Sequence, residues 1–365
     1  MRMVARGAVV LGAVDPSVTS TAGVALVGEL DRILGVTGCV DGLVASVGPR
    51  AGWSPGELVF SMAEVMLCGG DFMADLDHTR DHPATTKLRA VRLPSGWVFG
   101  SLSRRFEDSR VLGLEQAVGK ELVRRWWATL PNKRREVLGV GRPTIDLDTT
   151  EVEVYGTKKE KVSYNYQGQR VGRVHCATWA EAGLVVAGRL GSAENDPRPE
   201  AAAMIATAVA ALPAGLGCPV VRADSGYHDH KIAEAAVELG CGFAIAVKRN
   251  NAVWRAGLSV AESAWRAAKN MAGAQVAVCG YIPPGWPPGS TCVVRRVPVG
   301  EIPTRRARRR RTIPPAQQVL ALLGLGPAWA YSFIMTNLTG DPVEIEAWFR
   351  GRAQIEGNYS ALIAR

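Results

Sequence analysis

Thr144-Ile-Asp-Leu-Asp-Thr-Thr-Glu-Val152 decides the fold prediction, because it alternates polar and apolar residues as a β-strand does and carries two aspartates. A second apolar run, Val220-Val-Arg-Ala-Asp-Ser-Gly-Tyr227, also ends in an aspartate, and its Ser-Gly pair lets the chain turn sharply. The stretches around these two runs predict the element order β-β-β-α-β-α-β. Both aspartate-bearing runs are therefore expected to be strands of one mixed α/β sheet.

This order is that of an RNase H-like core, in which the first and fourth strands lie side by side at the centre of the sheet. Asp148 and Asp224 would then approach each other, although they are far apart in the sequence. Asp146 lies two residues before Asp148 and points to the same face of the strand, which makes it the rival for the first position. For each aspartate alone, the ordinary alternative is a residue that ends a strand or caps the next helix.

A third carboxylate, Glu356, is predicted on a late helix, where Ile345, Phe349, Arg352 and Glu356 recur at helical spacing. Its ordinary alternative is an ion pair with Arg352, one helical turn earlier. Three carboxylates delivered by two strands and a helix suit Mg²⁺, which takes oxygen ligands, and pairs of such ions clamp a scissile phosphate. The pattern therefore predicts nucleic-acid chemistry at a two-metal site.

The composition sets limits on the class of protein. The chain has 365 residues, of which 47% are hydrophobic and 21% charged, as in ordinary globular proteins. No apolar stretch is long enough to span a bilayer and the N-terminus lacks an apolar signal core, so a cytoplasmic, nucleoid-associated location with no membrane partner is expected. Seven scattered cysteines without a C-x-x-C pair argue against a disulfide framework or a zinc site.

The charge is unevenly distributed and favours a polyanionic partner. The net charge is +9, and six of the seven residues from 305 to 311 are arginine. This run is expected to follow a DNA backbone, whereas a solvated basic loop is the alternative. Its members are Arg305, Arg306, Arg308, Arg309, Arg310 and Arg311.

Changes in residue pattern along the chain predict four regions. Residues 1–140 read as helical and are expected to serve DNA-end binding and assembly. Residues 141–249 form the first part of the α/β core, and residues 250–315 form a β-rich insertion that contains several tryptophans. Residues 316–365 return to the core with its last strand and the helix predicted to carry the glutamate.

Six motifs taken together resemble one known family. They are Ser54-Pro-Gly-Glu-Leu-Val, Leu67-Cys-Gly-Gly-Asp, Asp146-Leu-Asp-Thr-Thr, the segment Val154–Gly168, Arg222-Ala-Asp-Ser-Gly-Tyr and Arg350-Gly-Arg-Ala-Gln-Ile-Glu. With them the chain resembles the DDE transposases of bacterial insertion sequences, specifically the insertion-sequence 1380 group of the insertion-sequence 4-like superfamily. The resemblance implies an RNase H-like catalytic domain interrupted by a β-rich insertion, hydrolysis at the transposon ends, and strand transfer to target DNA.

The resemblance also assigns roles to individual residues. It places the first metal ligand directly before the threonine pair, which favours Asp148 over Asp146, and it makes Asp148, Asp224 and Glu356 the catalytic acids that hold two Mg²⁺ ions, with Mn²⁺ as a substitute. Arg352 matches the arginine of the family's tyrosine, arginine, glutamate and lysine signature and would hold a phosphate, since guanidinium forks suit phosphate oxygens. Double-stranded DNA is the expected partner, bound by a homodimer because two ends must be paired.

Three further residues are predicted to contact DNA. Trp254, in the insertion, is the first candidate to stack on an extruded base, and packing within the insertion is its alternative. Lys158 and Lys159 lie on a predicted hairpin after the first catalytic strand, where a solvated hairpin is the alternative.

The late segment departs from the family pattern in ways that leave the activity open. Phe349 stands at the tyrosine position, and Ile363 stands where the family has a lysine, seven residues after Glu356. The chain stops at Arg365, where the family continues, so an early end of the reading frame is expected. The alternative function is therefore a catalytically inactive, truncated transposase remnant that only binds DNA, and a structure-selective nuclease with the same core is a third hypothesis.

Overall fold

The computed structural model describes residues 21–44, 51–89, 92–105, 108–156, 159–160, 162–165, 167–191, 196–299, 313–315, 317–318 and 328–352. The chain divides into two compact units, Met1–Thr129 and Leu130–Arg365. No helix among these described ranges is long and apolar enough to cross a membrane.

The described elements of the first unit are helices. They are α1 (Val24–Leu34), α2 (Val36–Leu43), α3 (Pro55–Leu67), α4 (Ala74–Arg80), α5 (Pro83–Leu88), α6 (Gly96–Ser103) and α7 (Asp108–Thr129). The start of α3 is a capping box: Ser54 Oγ accepts from the Glu57 N–H at 3.1 Å, and the Glu57 carboxylate accepts from the Ser54 N–H at 2.7 Å. This cap satisfies two N–H groups that the helix itself leaves unpaired, and a buried apolar cluster holds the unit together; its members are Val40, Val44, Leu58, Val98 and Leu102.

The second unit is organised around one sheet. Its strands are β1 (Thr144–Glu153), β2 (Ser163–Tyr164), β3 (Arg170–Trp179), β4 (Leu184–Gly191), β5 (Val220–Ala223), β6 (Gly242–Ala246), β7 (Arg266–Ala267), β8 (Gln275–Cys279), β9 (Thr291–Val299) and β10 (Ala328–Thr336). Its helices are α8 (Asn132–Gly139), α9 (Arg198–Ala211), α10 (His230–Glu238), α11 (Asn251–Leu258) and α12 (Pro342–Arg350).

The strand order of the sheet is β2-β3-β1-β5-β6-β10-β9-β8-β7, with β4 also paired to β3. β1 runs parallel to β5 and β5 parallel to β6, whereas the other neighbours are antiparallel. Apart from the two-residue β2, the chain follows the predicted order β-β-β-α-β-α-β from β1 to β6. The predicted adjacency of the first and fourth long strands, β1 and β5, is confirmed.

The segment between β6 and β10 adds strands to this sheet. β10 pairs with β6, and β9 and β8 follow beyond β10. These two strands lie within residues 250–315, the segment predicted to be a β-rich insertion, and the structure places them in the same layer as the core strands. The sheet is therefore extended on the β6 side by strands that come late in the sequence.

The core lies at the parallel centre of the sheet. Ile145 and Leu147 on β1, Val221 on β5 and Phe243 and Ile245 on β6 are completely excluded from solvent. Strands covered on both faces need such apolar runs, because neither face can be left to water. The same burial limits which polar side chains β1 and β5 can carry without a partner.

The helix that precedes Arg352 is shorter than the sequence spacing predicts. α12 starts with Asp341, whose carboxylate accepts from the Val343 N–H at 2.9 Å, and it ends at Arg350. Gly351 and Arg352 form a turn, in which the Arg352 N–H donates to the Phe349 carbonyl at 3.1 Å. Glycine is among the weakest helix formers, which explains why the helix ends there. Glu356 lies outside the described residues.

Replacing Leu147 by alanine should destabilise the second unit by about 2–5 kcal/mol, because the side chain is completely buried and its removal leaves a cavity at the sheet centre. Chemical denaturation followed by tryptophan fluorescence would measure the change. The matched control is Val152→Ala on the same strand, where 40% of the side chain is exposed and a change within about 0.5 kcal/mol is expected. Equal destabilisation by the two variants would contradict the placement of the core.

Candidate active site

The structure brings Asp148 and Asp224 to the same edge of the sheet. In the parallel pairing of β1 with β5, Asp146 lies opposite Arg222 and Leu147 opposite Ala223. The next residue is Asp148 within β1 on one side and Asp224, directly after the end of β5, on the other. Asp224 ends β5 and accepts from the Gly226 N–H at 2.7 Å, which turns the chain away after the strand. The two carboxylates are close enough for the charge of Asp224 to raise the pKa of Asp148.

Asp148 is held in an environment that disfavours its charge. Burial raises the pKa of its carboxyl most, and the negative charge of Asp224 raises it further, whereas Arg352 and the Thr149 N–H lower it. Its Oδ1 accepts from the Thr149 N–H at 3.0 Å and lies 3.5 Å from Arg352 Nη1. The net result is a raised pKa, so this carboxylate gains from any further cation that reaches it.

Asp146, the alternative candidate for the first metal ligand on the same face of β1, has both carboxylate oxygens in hydrogen bonds. It is completely buried, and Arg222 donates to its two oxygens from Nε at 2.5 Å and from Nη2 at 2.6 Å. Burial raises the pKa of Asp146 and the bond from Arg222 opposes this rise. Because both oxygens already accept from one guanidinium, Asp146 has less capacity left for a cation than Asp148 has.

Arg222 has further contacts beyond Asp146. Its Nη1 donates to the Trp348 carbonyl at 2.5 Å, in the last turn of α12, and its guanidinium lies 4.9 Å from the centre of the Trp348 ring. The Trp348 indole N–H in turn donates to Thr144 Oγ1 at 3.3 Å. These contacts join β5, which Asp224 follows, to β1, which contains Asp148, and to the end of α12, which precedes Arg352.

A cleft of about 230 Å³ is lined by Ser225, which follows Asp224, and by Arg352, whose guanidinium lies 3.5 Å from Asp148, and sequence reasoning missed most of its residues. Its polar lining includes Ser225, Arg249, Arg295, Arg350 and Arg352. Glu346, which is buried, accepts from Arg295 at 2.6 Å and from Arg350 at 3.0 Å. The cleft therefore carries more positive than negative charge.

The sequence did contain a signal for one of these arginines. Arg249 follows the strand Gly242–Ala246, and parallel strands end at the same edge of a sheet, so Arg249 was predictable at the edge that carries Asp224. Arg295 gave no such signal, because it lies within β9 and its position depends on how late strands join the sheet.

The remaining sequence-predicted residues are not gathered at this site by the described part of the structure. Trp254 on α11 is half-buried and packs edge-on against Tyr331 and Phe333, with ring centroids 6.1 and 5.7 Å away. Lys159 is exposed. The other predicted residues lie outside the described ranges, and their roles stay predictions; they are Glu356, Lys158, Arg305, Arg306, Arg308, Arg309, Arg310 and Arg311.

The acid pair fits a hard divalent cation. Carboxylate oxygens are the ligands that Mg²⁺ and Mn²⁺ prefer, and a cation would offset both the burial of Asp148 and the repulsion from Asp224. Within the described residues no group of three or more histidine, cysteine or acidic side chains forms a complete cation site. Of the three predicted ligands, Asp148 and Asp224 lie in the described part of the chain and Glu356 lies outside it.

Comparisons with known proteins give one family match. The family model described as "Transposase DDE domain group 1" matches residues 2–359. The chain is also similar to the piggyBac transposase in a cryo-EM synaptic complex with hairpin DNA, at 10% sequence identity and a TM-score of 0.43 over 95% of this chain and 69% of that chain. Among curated proteins, none matches significantly.

Asp148→Asn should stabilise the metal-free protein at neutral pH by about 0.5–2 kcal/mol. The reason is that partial burial disfavours the charged carboxylate, whereas the amide of asparagine carries no charge. A raised folded-state pKa means that stability is lost as the pH rises from the unfolded value, about 3.9, through the folded one. The gain should therefore vanish at about pH 3, and thermal unfolding at several pH values in EDTA would measure it.

The control is Glu234→Gln on the exposed face of α10, for which no shift beyond about 0.5 kcal/mol is expected at any pH. If Asp148→Asn lowered the stability at pH 7 while leaving it unchanged at pH 3, the described environment of Asp148 would be wrong.

Proposed function

Because the chain belongs to the family described as transposase DDE domain group 1, we propose that it cuts DNA at the inverted repeats of an insertion sequence and joins the cut ends to target DNA. The observation that carries this proposal is the pair Asp148 and Asp224, which come next after the last paired residues, Leu147 and Ala223, of two adjacent parallel strands. The raised pKa of Asp148 supports it, since perturbed acids in clefts are typical of functional sites.

The catalytic acids proposed are Asp148, Asp224 and Glu356. They would hold two Mg²⁺ ions, with Mn²⁺ as a substitute, and when bound these ions supply an activated water or 3′-hydroxyl and a charge that stabilises the leaving oxygen. Divalent ions are the usual cofactors of this family. Asp148 contributes a carboxylate that is poorly solvated and Asp224 a carboxylate that is fixed by the Gly226 N–H, so neither has to reorganise when a cation arrives.

The DNA strand is proposed to enter along the arginine-lined cleft. Arg352 lies 3.5 Å from the Asp148 carboxylate, so a phosphate that it holds would sit next to the acid pair. Arg249 lines the same cleft, and among the described residues it has no carboxylate partner. An uncompensated guanidinium in a cleft favours an anionic ligand, and a DNA phosphate is the anion that the family's substrate provides.

The proposal also includes the type of core, the family group, the assembly and further DNA contacts. The strand order β4-β3-β1-β5-β6 and its directions support an RNase H-like core. The insertion-sequence 1380 group, assembly as a homodimer on double-stranded DNA, and DNA-end binding by residues 1–140 are proposed from the sequence motifs. A DNA role for the arginine run 305–311, for Lys158 and Lys159 and for Trp254 is proposed on the same basis, although the Trp254 ring is packed against protein partners.

Purified protein with Mg²⁺ should nick a duplex that carries the ends of its own element, and Asp148→Asn, Asp224→Asn and Glu356→Gln should each slow nicking by more than about a thousandfold. The physical reason is that each substitution removes a charged oxygen ligand. Gel analysis of end-labelled duplex measures the rate, and Glu234→Gln, which removes an exposed carboxylate from α10, should cut as wild type does.

Nicking by Asp224→Asn at the wild-type rate would contradict the assigned acids. Wild-type protein that binds the ends in every divalent metal but never cuts them would support the alternative of a DNA-binding protein without catalytic activity.

Arg249→Gln should weaken DNA binding at all sequences and reduce the slope of log K against log salt by about 1, because one phosphate contact is lost. Fluorescence anisotropy at several salt concentrations measures both quantities. The matched control is Arg255→Gln on the exposed face of α11, since Arg255 is not among the described residues that line the cleft. An unchanged salt slope for Arg249→Gln, or an equal change in the two variants, would exclude the cleft as the strand path.

A further inference from the structure

Arg222 is a buried side chain that contacts all three elements of the proposed active site. It lies on β5 two residues before Asp224, and it binds Asp146, which lies on β1 two residues before Asp148. It also donates to the carbonyl of Trp348, four residues before Arg352. With 4% of its surface exposed, Arg222 is not placed to touch DNA or a metal ion.

The pairing of Arg222 with Asp146 fixes the register of the two catalytic strands. The two residues are direct neighbours in the parallel ladder between β5 and β1. Since side chains alternate between the faces of a strand, Asp146 shares a face with Asp148 and Arg222 shares one with Asp224. A slip of one residue would break the ion pair and turn Asp148 to the opposite face, so the pair selects the one register that keeps both acids together.

The same guanidinium fixes the end of α12. The last carbonyls of a helix lack partners within it, and Arg222 supplies both a donor and a positive charge to one of them, that of Trp348. The Trp348 ring lies 4.9 Å from the guanidinium, which adds a cation–π contact.

Gly351 makes room for this approach, because a Cβ there would lie 3.1 Å from Arg222 Nη1. The chain that continues to Arg352 is therefore tied to the strands that carry the acids.

The Asp146–Arg222 ion pair restricts the geometry of the strands more than a stable apolar core would. Buried ion pairs often contribute little net stability compared with apolar residues of the same size, because two charges must be taken out of water. An ion pair does, however, demand one geometry, and here that geometry sets the distance between Asp148 and Asp224.

We propose that Arg222 is the positioning residue of the active site, which holds β1, β5 and the end of α12 in the one arrangement that lets Asp148 and Asp224 share a divalent ion. This inference rests on the proposed function for its catalytic consequence but not for its structural one. Lysine keeps the charge of Arg222 but cannot bind both oxygens of Asp146 and the Trp348 carbonyl with a rigid fork.

The test is Arg222→Lys, with Mn²⁺ binding followed by the loss of the free-ion electron paramagnetic resonance signal. We expect the Kd for Mn²⁺ to rise by about 10–100-fold, and the Mg²⁺ concentration for half-maximal nicking to rise by a similar factor, as for residues that orient metal ligands. A merely structural role would lower the melting temperature and the active fraction but leave the metal dependence of the folded protein unchanged. DNA affinity, measured in EDTA, should stay within about twofold of wild type because Arg222 is buried.

The matched control is Arg173→Lys, since Arg173 on β3 also pairs at 2.7 Å with an acid of β1, Glu151, which lies near the far end of β1. It should bind Mn²⁺ as wild type does. If Arg222→Lys does not fold, Asp146→Asn tests the positioning role instead. The amide keeps the volume of the side chain and one acceptor, but the negative charge that pairs with Arg222 is lost. Mn²⁺ binding at the wild-type affinity in the folded variant, or equal weakening in Arg173→Lys, would overturn the proposal.

The Mn²⁺ titration and the nicking assay together distinguish a failure of the positioning role of Arg222 from a failure of the proposed transposase activity. Wild-type protein that binds Mn²⁺ but never nicks DNA would count against the transposase activity, and the Mn²⁺ titration would still decide the role of Arg222. Wild-type protein that nicks DNA, together with an Arg222→Lys variant of unchanged metal dependence, would leave the transposase activity in place and overturn the positioning role alone. Wild-type protein with no Mn²⁺ binding would overturn both.

Discussion

The bidentate ion pair between Asp146 and Arg222 is the constraint on which the rest of the proposed active site depends. Both side chains lie in the buried centre of the sheet, where neither could keep its charge alone. Arg222 compensates for the burial of both charges with three N–H donors, two directed at Asp146 and one at the Trp348 carbonyl. Because these donors are fixed in one plane, β1, β5 and the end of α12 have only one arrangement that satisfies them all.

Two aspartates on the same face of β1 therefore have different tasks because their surroundings differ. Asp146 is neutralised by a guanidinium and serves the structure. Asp148, one strand repeat further on, is half-buried, close enough to Asp224 to feel its charge, and 3.5 Å from Arg352, and the net effect of these surroundings is a raised pKa.

Much of this fold could be predicted from residue patterns, and the limits have physical causes. The alternation of Thr144–Glu153 and the apolar run before Asp224 predict β1 and β5, and the element order predicts that they are neighbours. The sequence could not separate Asp146 from Asp148, because both point to the same face and only the register against β5 reveals the partner at Arg222. The resemblance favoured Asp148, and this assignment stays a prediction.

Other features depend on contacts between distant segments. Arg295 enters the cleft only because β9 reaches the core sheet through β10. Trp254 packs against Tyr331 and Phe333, which follow it by almost eighty residues, so its ring partners could not be inferred from its neighbours in sequence. The helical spacing of Ile345, Phe349 and Arg352 extends past Arg350, where α12 ends.

The most direct measurement of the central claim is anomalous X-ray diffraction from crystals soaked in Mn²⁺. The geometry predicts an anomalous peak within about 2–2.5 Å of carboxylate oxygens from both Asp148 and Asp224, with the Asp146–Arg222 pair intact. A Mn²⁺ ion bound to Asp146 with Arg222 displaced, or one bound without Asp224, would contradict the account.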